Sequence, residues 1–577
     1  MLTPSQGQGA WERNPHVHSA DGTSTMSSQD HDYDWLVIGS GFGGSVSALR
    51  LAQKGYSVGL LECGRRFADT DFARSAWDVR RFYWLPRLGL RGTLRMSLFK
   101  DMAILSGAGV GGGSLVYSGV HYRPPASFFS DPQWAGLEDW ERALAPHYDE
   151  VERMLGVSDY ERETLADGLL REIAEEDGYA DTFRTSRVAV FQGAPGELVP
   201  DPYFGGEGPP RSGCVACGSC MIGCRHNAKN VLTKNYLWLA ERRGARIIPE
   251  RMVLDIRPLG AAADGSDGYA VTSERPGSLL GRSRSVHTAR GVVVAAGPLG
   301  TNALLQRCRL DGSLPRISSR LGRLVRTNSE SLLAVTASDE RYDFSSSVAI
   351  SSSVYPSPDV HAQPVTYGTG GDGVGMLFTL LNERGGAARP LRFALTVLRH
   401  PVAAARMLNP SRWSRRTVML LVMQAIDSSL TLKPSRRLPG GTVLLTTEPD
   451  PDKPKPKPIP SAYDLARRLA GKIGGTAQAS IFESAFGTPV SSHILGGAVI
   501  GRDREHGVID SGGRVFGYER LLVCDGSAVP ANLGVNPSLT IAALAEHAIS
   551  QVPAKLDQGA AAEGGSQTPA PGAARTQ

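Results

Sequence analysis

Two stretches hold residue types whose spacing implies chemistry. Cys214, Cys217, Cys220 and Cys224 form C-x2-C-x2-C-x3-C. Thiolates this close together match the run that holds an iron–sulfur cluster in bacterial ferredoxins. Zinc suits the run less, because structural zinc sites usually place two cysteine pairs far apart. Spacing sets three ligands. The fourth is open between Cys224 and a distant Cys63, Cys308 or Cys524, and a [4Fe-4S] cluster, a [3Fe-4S] cluster and a metal-free cysteine-rich loop all stay open. The second stretch is Gly39-Ser40-Gly41-Phe42-Gly43-Gly44, a G-x-G-x-x-G turn followed at the customary interval by Glu62. Gly39 permits the tight turn, Gly41 lets the backbone approach a pyrophosphate, and Gly44 lets helix and strand pack closely. An acid at that interval binds ribose hydroxyls and repels the extra phosphate of NADP.

Such a turn works only between the right elements. Trp35–Ile38 reads as a buried parallel strand, Ser45–Gln53 as a helix and Tyr56–Leu61 as the next strand, ending at Glu62. The helix N-terminus offers free N–H groups to phosphate. A second glycine-rich stretch, SGAGVGGGSLVYS, holds Gly107, Gly109, Gly111, Gly112 and Gly113, and Ser114–Tyr117 after it reads as a strand. Two such turns suggest a large dinucleotide crossing the domain. Met252–Thr288 reads as β-structure, Gly291–Gly300 as a buried strand ending in a glycine turn, and Asn302–Cys308 as a helix. Together these form a Rossmann-type lobe assembled from separated segments.

The rest of the chain is read more coarsely. Phe67–Met102 is a loop-rich connection or a lid over an apolar substrate. Glu138–Leu155 and Glu161–Asp177 read as helices, the first broken or kinked at Pro146. Alternating runs such as Leu332–Thr336 and Ser347–Val354 predict an antiparallel sheet over residues 315–445. Pro449–Pro460 is an extended connector before a helix from Ala462. Arg389–Arg416 carries seven arginines, no acid and interleaved apolar residues. It fits either a helix pair covering the sheet or a basic amphipathic segment at a membrane surface.

Composition bounds the class. At 577 residues, two large lobes are expected, and 41% hydrophobic with 21% charged residues is globular. A net charge of +5 makes no case for nucleic acid. No run of ~18 apolar residues predicts a membrane span. The N-terminus lacks an export signal, so a cytoplasmic location is expected. Residues 1–31 and 556–577 read as a disordered leader and tail. Seven cysteines at this length are no disulfide framework.

The motifs IGSGFGGSVSALRLAQKG, GAGVGGGSL, SHILGGAVIG and CDGSAVPANLGVNPSLTIAALAE occur in one order along almost the whole chain. In these the sequence resembles the glucose–methanol–choline (GMC) oxidoreductase family, and within it the actinobacterial cholesterol oxidase branch. The resemblance implies an α/β fold with a Rossmann-type FAD-binding domain and an antiparallel-sheet substrate-binding domain. Residues 32–314 and 461–555 would form mainly the first, and 315–460 mainly the second. Gly39, Gly41, Gly44 and Glu62 would hold the ADP half of FAD. Gly107 and Gly111, Gly112, Gly113 and Ser114 would line flavin and pyrophosphate, with Val253 at the adenine. Asp525 and Gly526 would meet the ribityl chain, and Asn536 and Pro537 the isoalloxazine. His493 stands at the family's active-site histidine and Asn536 at its asparagine partner.

Oxidising a secondary alcohol needs loss of the hydroxyl proton and transfer of hydride. Imidazole suits the first task, and an asparagine amide suits the substrate oxygen. The resemblance implies oxidation of a 3β-hydroxysteroid, with O2 as acceptor. An alternative is a sterol or long-chain alcohol dehydrogenase that passes electrons through the cysteine run to a protein or quinone. A weakly catalytic lipid-binding flavoprotein is a third. No histidine lies in Gly107–Ser118, where the family's covalent attachment falls, so FAD is expected to be non-covalent. Three positions depart from better-known relatives: Tyr117 for an asparagine, Ser538 for a phenylalanine and Gln363 for the glutamate that shifts the steroid double bond. Glu330 and Glu383 are the substitutes considered for that glutamate.

Overall fold

The computed structural model of the chain describes residues 31–278, 283–382, 388–437 and 443–555. The expected leader and tail lie outside these residues, as does Glu383, save that His31, Pro553 and their neighbours anchor the ends.

Strand β1 (Tyr33–Ile38), helix α1 (Phe42–Gln53) and strand β2 (Val58–Leu61) follow one another as the sequence predicts. β1 is almost wholly buried, because parallel neighbours cover both edges and helices cover its faces. It pairs in parallel with β2 (Trp35 against Val58) and with Ser285–Val294 (Trp35 against Gly291). Gly291 carries no side chain because a Cβ there would sit 2.6 Å from the Trp35 ring. Beyond Ser285–Val294 the sheet turns antiparallel through Tyr269–Glu274 and Met252–Pro258. The C-terminal half of Ser285–Val294 pairs in parallel with Leu521–Val523, which returns the distant C-terminal segment to the same sheet.

The second sheet has seven antiparallel strands, with Ser331–Ala337, Thr417–Gln424 and Val360–Val365 at its centre. Period-two alternation divides its faces. Val418, Leu420 and Val422 pack beneath the helices Leu165–Glu176 and Pro460–Lys472. Met419 and Leu421 face the opposite way and line a large cavity between the sheets.

Three local expectations need correction. Ser114–Tyr117 is not a strand. Gly112–Leu115 forms a 3-10 turn, because Gly111 (φ +110°) and Gly112 (φ +52°) lie in the left-handed region and the extended backbone cannot start there. The neighbouring strand is Ala103–Gly107 instead. Trp140–Leu155 runs through Pro146 as one helix; Trp140, Leu144, Tyr148, Val151 and Leu155 are all buried on one side, and this packing outweighs the lost N–H. The arginine-rich segment covers the sheet only in part: Trp413–Arg416 meets its strands Ser331–Ala337 and Thr417–Gln424. It forms the helices Arg389–Arg399 and Pro401–Met407, resting on the turn Phe482–Phe486 and the edge strand Phe378–Leu380. Leu391, Leu398, Val402 and Leu408 are exposed.

Candidate active site

Three helices begin on the wall of one cavity of about 820 Å³: α1, Gly297–Leu310 and Ser538–Ser550. Each presents the positive end of its dipole at this wall, a fitting arrangement for an anionic ligand. Gly39 and Gly41 line the cavity, and nothing lies within 4 Å of where a Gly41 Cβ would stand, so a ligand can approach its backbone. Gly39 (φ +98°) has no alternative residue, since a Cβ would meet the Ala295 carbonyl oxygen at 2.2 Å. Gly44 is not in the wall. It lets α1 close on β1, its Cβ position being 2.0 Å from the Gly39 oxygen.

Gly107, Gly112 and Gly113 line the cavity, whereas Gly111 and Ser114 stand behind it. Ser114 Oγ donates to the Gly111 carbonyl (2.7 Å) and accepts from Leu232 N–H (3.1 Å), which holds the turn. Val253, Gly526, Asn536 and Pro537 are in the wall. So are Glu62 and Asp525, yet both carboxylates already serve the protein. Glu62 accepts from Ser40 Oγ (2.6 Å), Ser40 N–H (3.1 Å) and Gly64 N–H (2.8 Å), and lies 3.3 Å from Gly109 N. It thereby ties β2 to both glycine-rich turns. Asp525 accepts from Gly297 N–H (2.9 Å), Thr301 Oγ and Ser527 N–H (2.8 Å), which fixes the start of the second helix. Burial pushes its pKa up, against these bonds. The arginines Arg95 and Arg251 also enter the wall, and guanidinium groups match a diphosphate. No sequence motif marked them. The donor-rich, glycine-lined half of the cavity fits FAD.

The other half is apolar. Leu332, Val365, Phe378, Met419, Leu421 and Phe482 line it, from the second sheet and its edge. The hairpin through Leu94–Leu98 and Ala103–Gly107, with Trp84 and Leu85, closes a further side, so the predicted lid segment does face the cavity. Tyr117 lines the junction. Its hydroxyl donates to the Asn230 carbonyl (3.1 Å), and its ring lies 5.5 Å from Phe42 and 5.1 Å from Lys229 Nζ. Burial pushes the Tyr117 pKa up, so the phenol stays neutral. Lys229 is held by the carbonyls of Leu115, Tyr117 and Cys220, and burial lowers its pKa to about 8.

His493 and Asn536 both face this junction. The short strand Val490–Ser491 pairs with Ala103–Gly107 and delivers His493. The helix start at Ser538 delivers Asn536. Asn536 Oδ1 accepts from Gln363 Nε2 (2.9 Å), which leaves the Asn536 amide N–H groups for the cavity. Gln363 is buried behind Asn536, so the position read as the double-bond-shifting glutamate supports an amide here. Among the described residues, Glu62 and Asp525 are the only carboxylates in the wall, both at the FAD half.

The four cysteines of the run line one small cavity with Lys229 and His226. All are free thiols, and among the described residues no three metal-ligating side chains converge on a common point. Burial raises the Cys220 thiol to about 12, so it is protonated. The structure gives an iron–sulfur cluster no support.

Known proteins agree with this geometry. Residues 34–370 match the model of FAD dependent oxidoreductases, and residues 446–545 that of the GMC oxidoreductase. A cholesterol oxidase of Mycobacterium tuberculosis is 48% identical over 91% of this chain and 92% of its own length. One of Acinetobacter baumannii is 43% identical over 92% and 96%. The fold is shared with pyridoxine 4-oxidase from Mesorbium loti, with a TM-score of 0.58 and 14% identity over 90% of this chain and 99% of that one. No helix among the described residues is long and apolar enough to cross a membrane. Glycine cradle, C-terminal segment and relatives of full length converge, and the chain belongs to the GMC oxidoreductase family of FAD-dependent enzymes.

Proposed function

We propose that the protein oxidises a 3β-hydroxysteroid, cholesterol or a close analogue, to the 3-ketone, with O2 as the final acceptor and H2O2 as the second product. One observation carries this most: a bulky apolar chamber opens directly onto the FAD cradle, with His493 and Asn536 at the junction. The relatives named cholesterol oxidase supply the substrate class. FAD, when bound, supplies the two-electron acceptor. The cradle residues Gly39, Gly41, Gly107, Gly112 and Gly113 let it lie against the backbone, with Val253, Gly526 and Pro537 around it. Gly44, Gly111, Ser114, Glu62 and Asp525 hold the cradle's shape. Residues 32–314 and 461–555 build this half, and 315–460 most of the chamber.

His493 Nε2, on the ring edge away from Glu330, accepts the hydroxyl proton. The Asn536 amide donates to the substrate oxygen as negative charge grows there. The apolar wall orients the ring system and excludes water. No carboxylate among the described residues lines the substrate half, so the described wall offers no carboxylate shuttle between steroid carbons, and the double bond is expected to stay in place. Purified protein mixed anaerobically with cholesterol should lose its flavin absorbance and regain it with O2. The product should be the unconjugated ketone, without the ultraviolet band of a conjugated enone. An unbleached flavin refutes the function, and a rapid conjugated product refutes the absence of a proton shuttle.

The sterol reaches the chamber from a lipid surface. Leu391, Leu395, Leu398, Val402 and Leu408 are exposed on the two arginine-rich helices, beside exposed Phe486. Arginines punctuate them with no acid between residues 389 and 416. That pattern suits insertion into an anionic bilayer surface. Each leucine buried in the interface contributes about 1.5–3 kcal/mol, so Leu391→Asp with Leu398→Asp should weaken sedimentation with phosphatidylserine-containing vesicles by tenfold or more. Turnover of detergent-solubilised sterol should be unchanged. Equal vesicle binding by the double variant refutes this docking face.

A further inference from the structure

A carboxylate stands behind His493 that no motif marks as its partner. The Glu330 side chain is fully buried. Its Oε2 accepts from Ser492 N–H (2.9 Å), His493 N–H (3.2 Å) and the Ser491 hydroxyl. Three donors thus hold this one oxygen in place. Its Oε1 lies 2.9 Å from His493 Nδ1. Neither atom has another partner, and the N–H direction is not yet aligned with the oxygen. A small ring rotation would satisfy both, as is usual for catalytic hydrogen bonds that tighten around substrate.

The backbone holds Glu330 there at a cost. Asn328 (φ +58°) and Ser329 (φ +44°) are both left-handed, a region that non-glycine residues adopt under strain. The turn is clasped in compensation. Asn328 Nδ2 donates to the Val535 carbonyl (2.8 Å), its Oδ1 accepts from Gly534 N–H (2.8 Å), and its own N–H donates to Asn532 Oδ1 (2.9 Å). Ser329 Oγ meets Ser428 Oγ at 2.8 Å. The same clasp grips the loop that ends at Asn536, so the supports of both junction residues are one unit.

We infer that Glu330 is the positioning residue of the His493 base. It fixes the proton on Nδ1, turns Nε2 toward the cavity and stabilises the imidazolium formed during turnover. This rests on the alcohol oxidation proposed above. In that reaction the O–H bond breaks and its proton goes to Nε2. The carbinol C–H bond breaks and C=O forms, the hydride leaving to the two-electron acceptor that FAD would supply when bound. Among the described residues Glu330 is the only charged side chain paired with the ring.

The competing role is purely structural: a buried acid that pins the Ser491–His493 loop. Glu330→Gln and Glu330→Asp separate the two through the pH profile of kcat/KM. The glutamine variant should keep its FAD and KM, and lose about 10–100-fold in kcat. Its acid limb should move to lower pH, because removing a neighbouring negative charge favours the neutral imidazole. The aspartate variant, charged but shorter, should fall between it and the wild type in both readouts. Limbs at the wild-type position in both variants overturn the inference, whatever happens to kcat. Should the glutamine variant not fold, a wild-type limb in the aspartate variant overturns it alone. Wild-type protein tested alongside keeps the readings apart: if its flavin is not reduced by any sterol, the function itself fails.

Discussion

His493→Ala yields a holoenzyme with full FAD content whose flavin is reduced by sterol about 10²–10⁴-fold more slowly. The loss is large because imidazole is the one side chain at the junction that can take the hydroxyl proton near neutral pH. Asn536 offers donors there, and the Tyr117 phenol is held neutral by burial and turned toward the Asn230 carbonyl. Cofactor is retained because the cradle comes from other elements, and because His493 holds its loop through its backbone. Its N–H donates to Glu330 Oε2 and to Ser491 Oγ, bonds that alanine keeps. The cost in stability is that of leaving Glu330 Oε1 buried with no neighbour, about 1–3 kcal/mol. Anaerobic stopped-flow measurement of flavin bleaching, with the FAD-to-protein ratio, checks both halves. Undiminished bleaching at full occupancy would remove His493 from the chemistry.

How far the sequence reveals the site depends on how local each signal is. The glycine turn, its strand and its helix are contiguous, so pattern and structure agree from Tyr33 to Glu62. What Glu62 and Asp525 do was less visible. Their spacing marks them as cofactor acids; in the fold their oxygens also accept from Ser40, Gly64, Gly297 and Thr301, partners up to 228 residues away. Ser114–Tyr117 misled because its β-branched and aromatic residues follow two left-handed glycines, whose φ values composition does not show. The cysteine run leaves a cluster and a metal-free loop both open by its spacing. Its four thiols line one small cavity, but among the described residues no three metal-ligating side chains converge, and Lys229 takes the Cys220 carbonyl. Glu330 and Gln363 carried a signal for the wrong task. Gln363 stands at the position of the proton-shuttling glutamate and Glu330 is one possible substitute for it, and both are buried behind the residues they support. Nothing local could say so, since each support runs between strands more than 150 residues apart.

Asn536 gives the second large effect, and two substitutions dissect it. Gln363 Nε2 donates to Asn536 Oδ1, which turns the Asn536 N–H groups toward the substrate oxygen. Asn536→Ala removes that donor where charge develops, and about 10²–10³-fold in flavin reduction should go with it. It also strands the Gln363 amide, whose Oε1 already lacks a partner, and the melting temperature should fall accordingly. Asn536→Asp keeps the shape and an acceptor for Gln363, so stability should hold better than in the alanine variant. Catalysis should nonetheless be slower than with alanine. A carboxylate beside a forming alkoxide repels the charge that the amide attracts. The two variants therefore rank in opposite orders for melting temperature and for rate. If the aspartate variant instead reduces its flavin faster than the alanine variant, Asn536 acts through packing and the donor role is wrong.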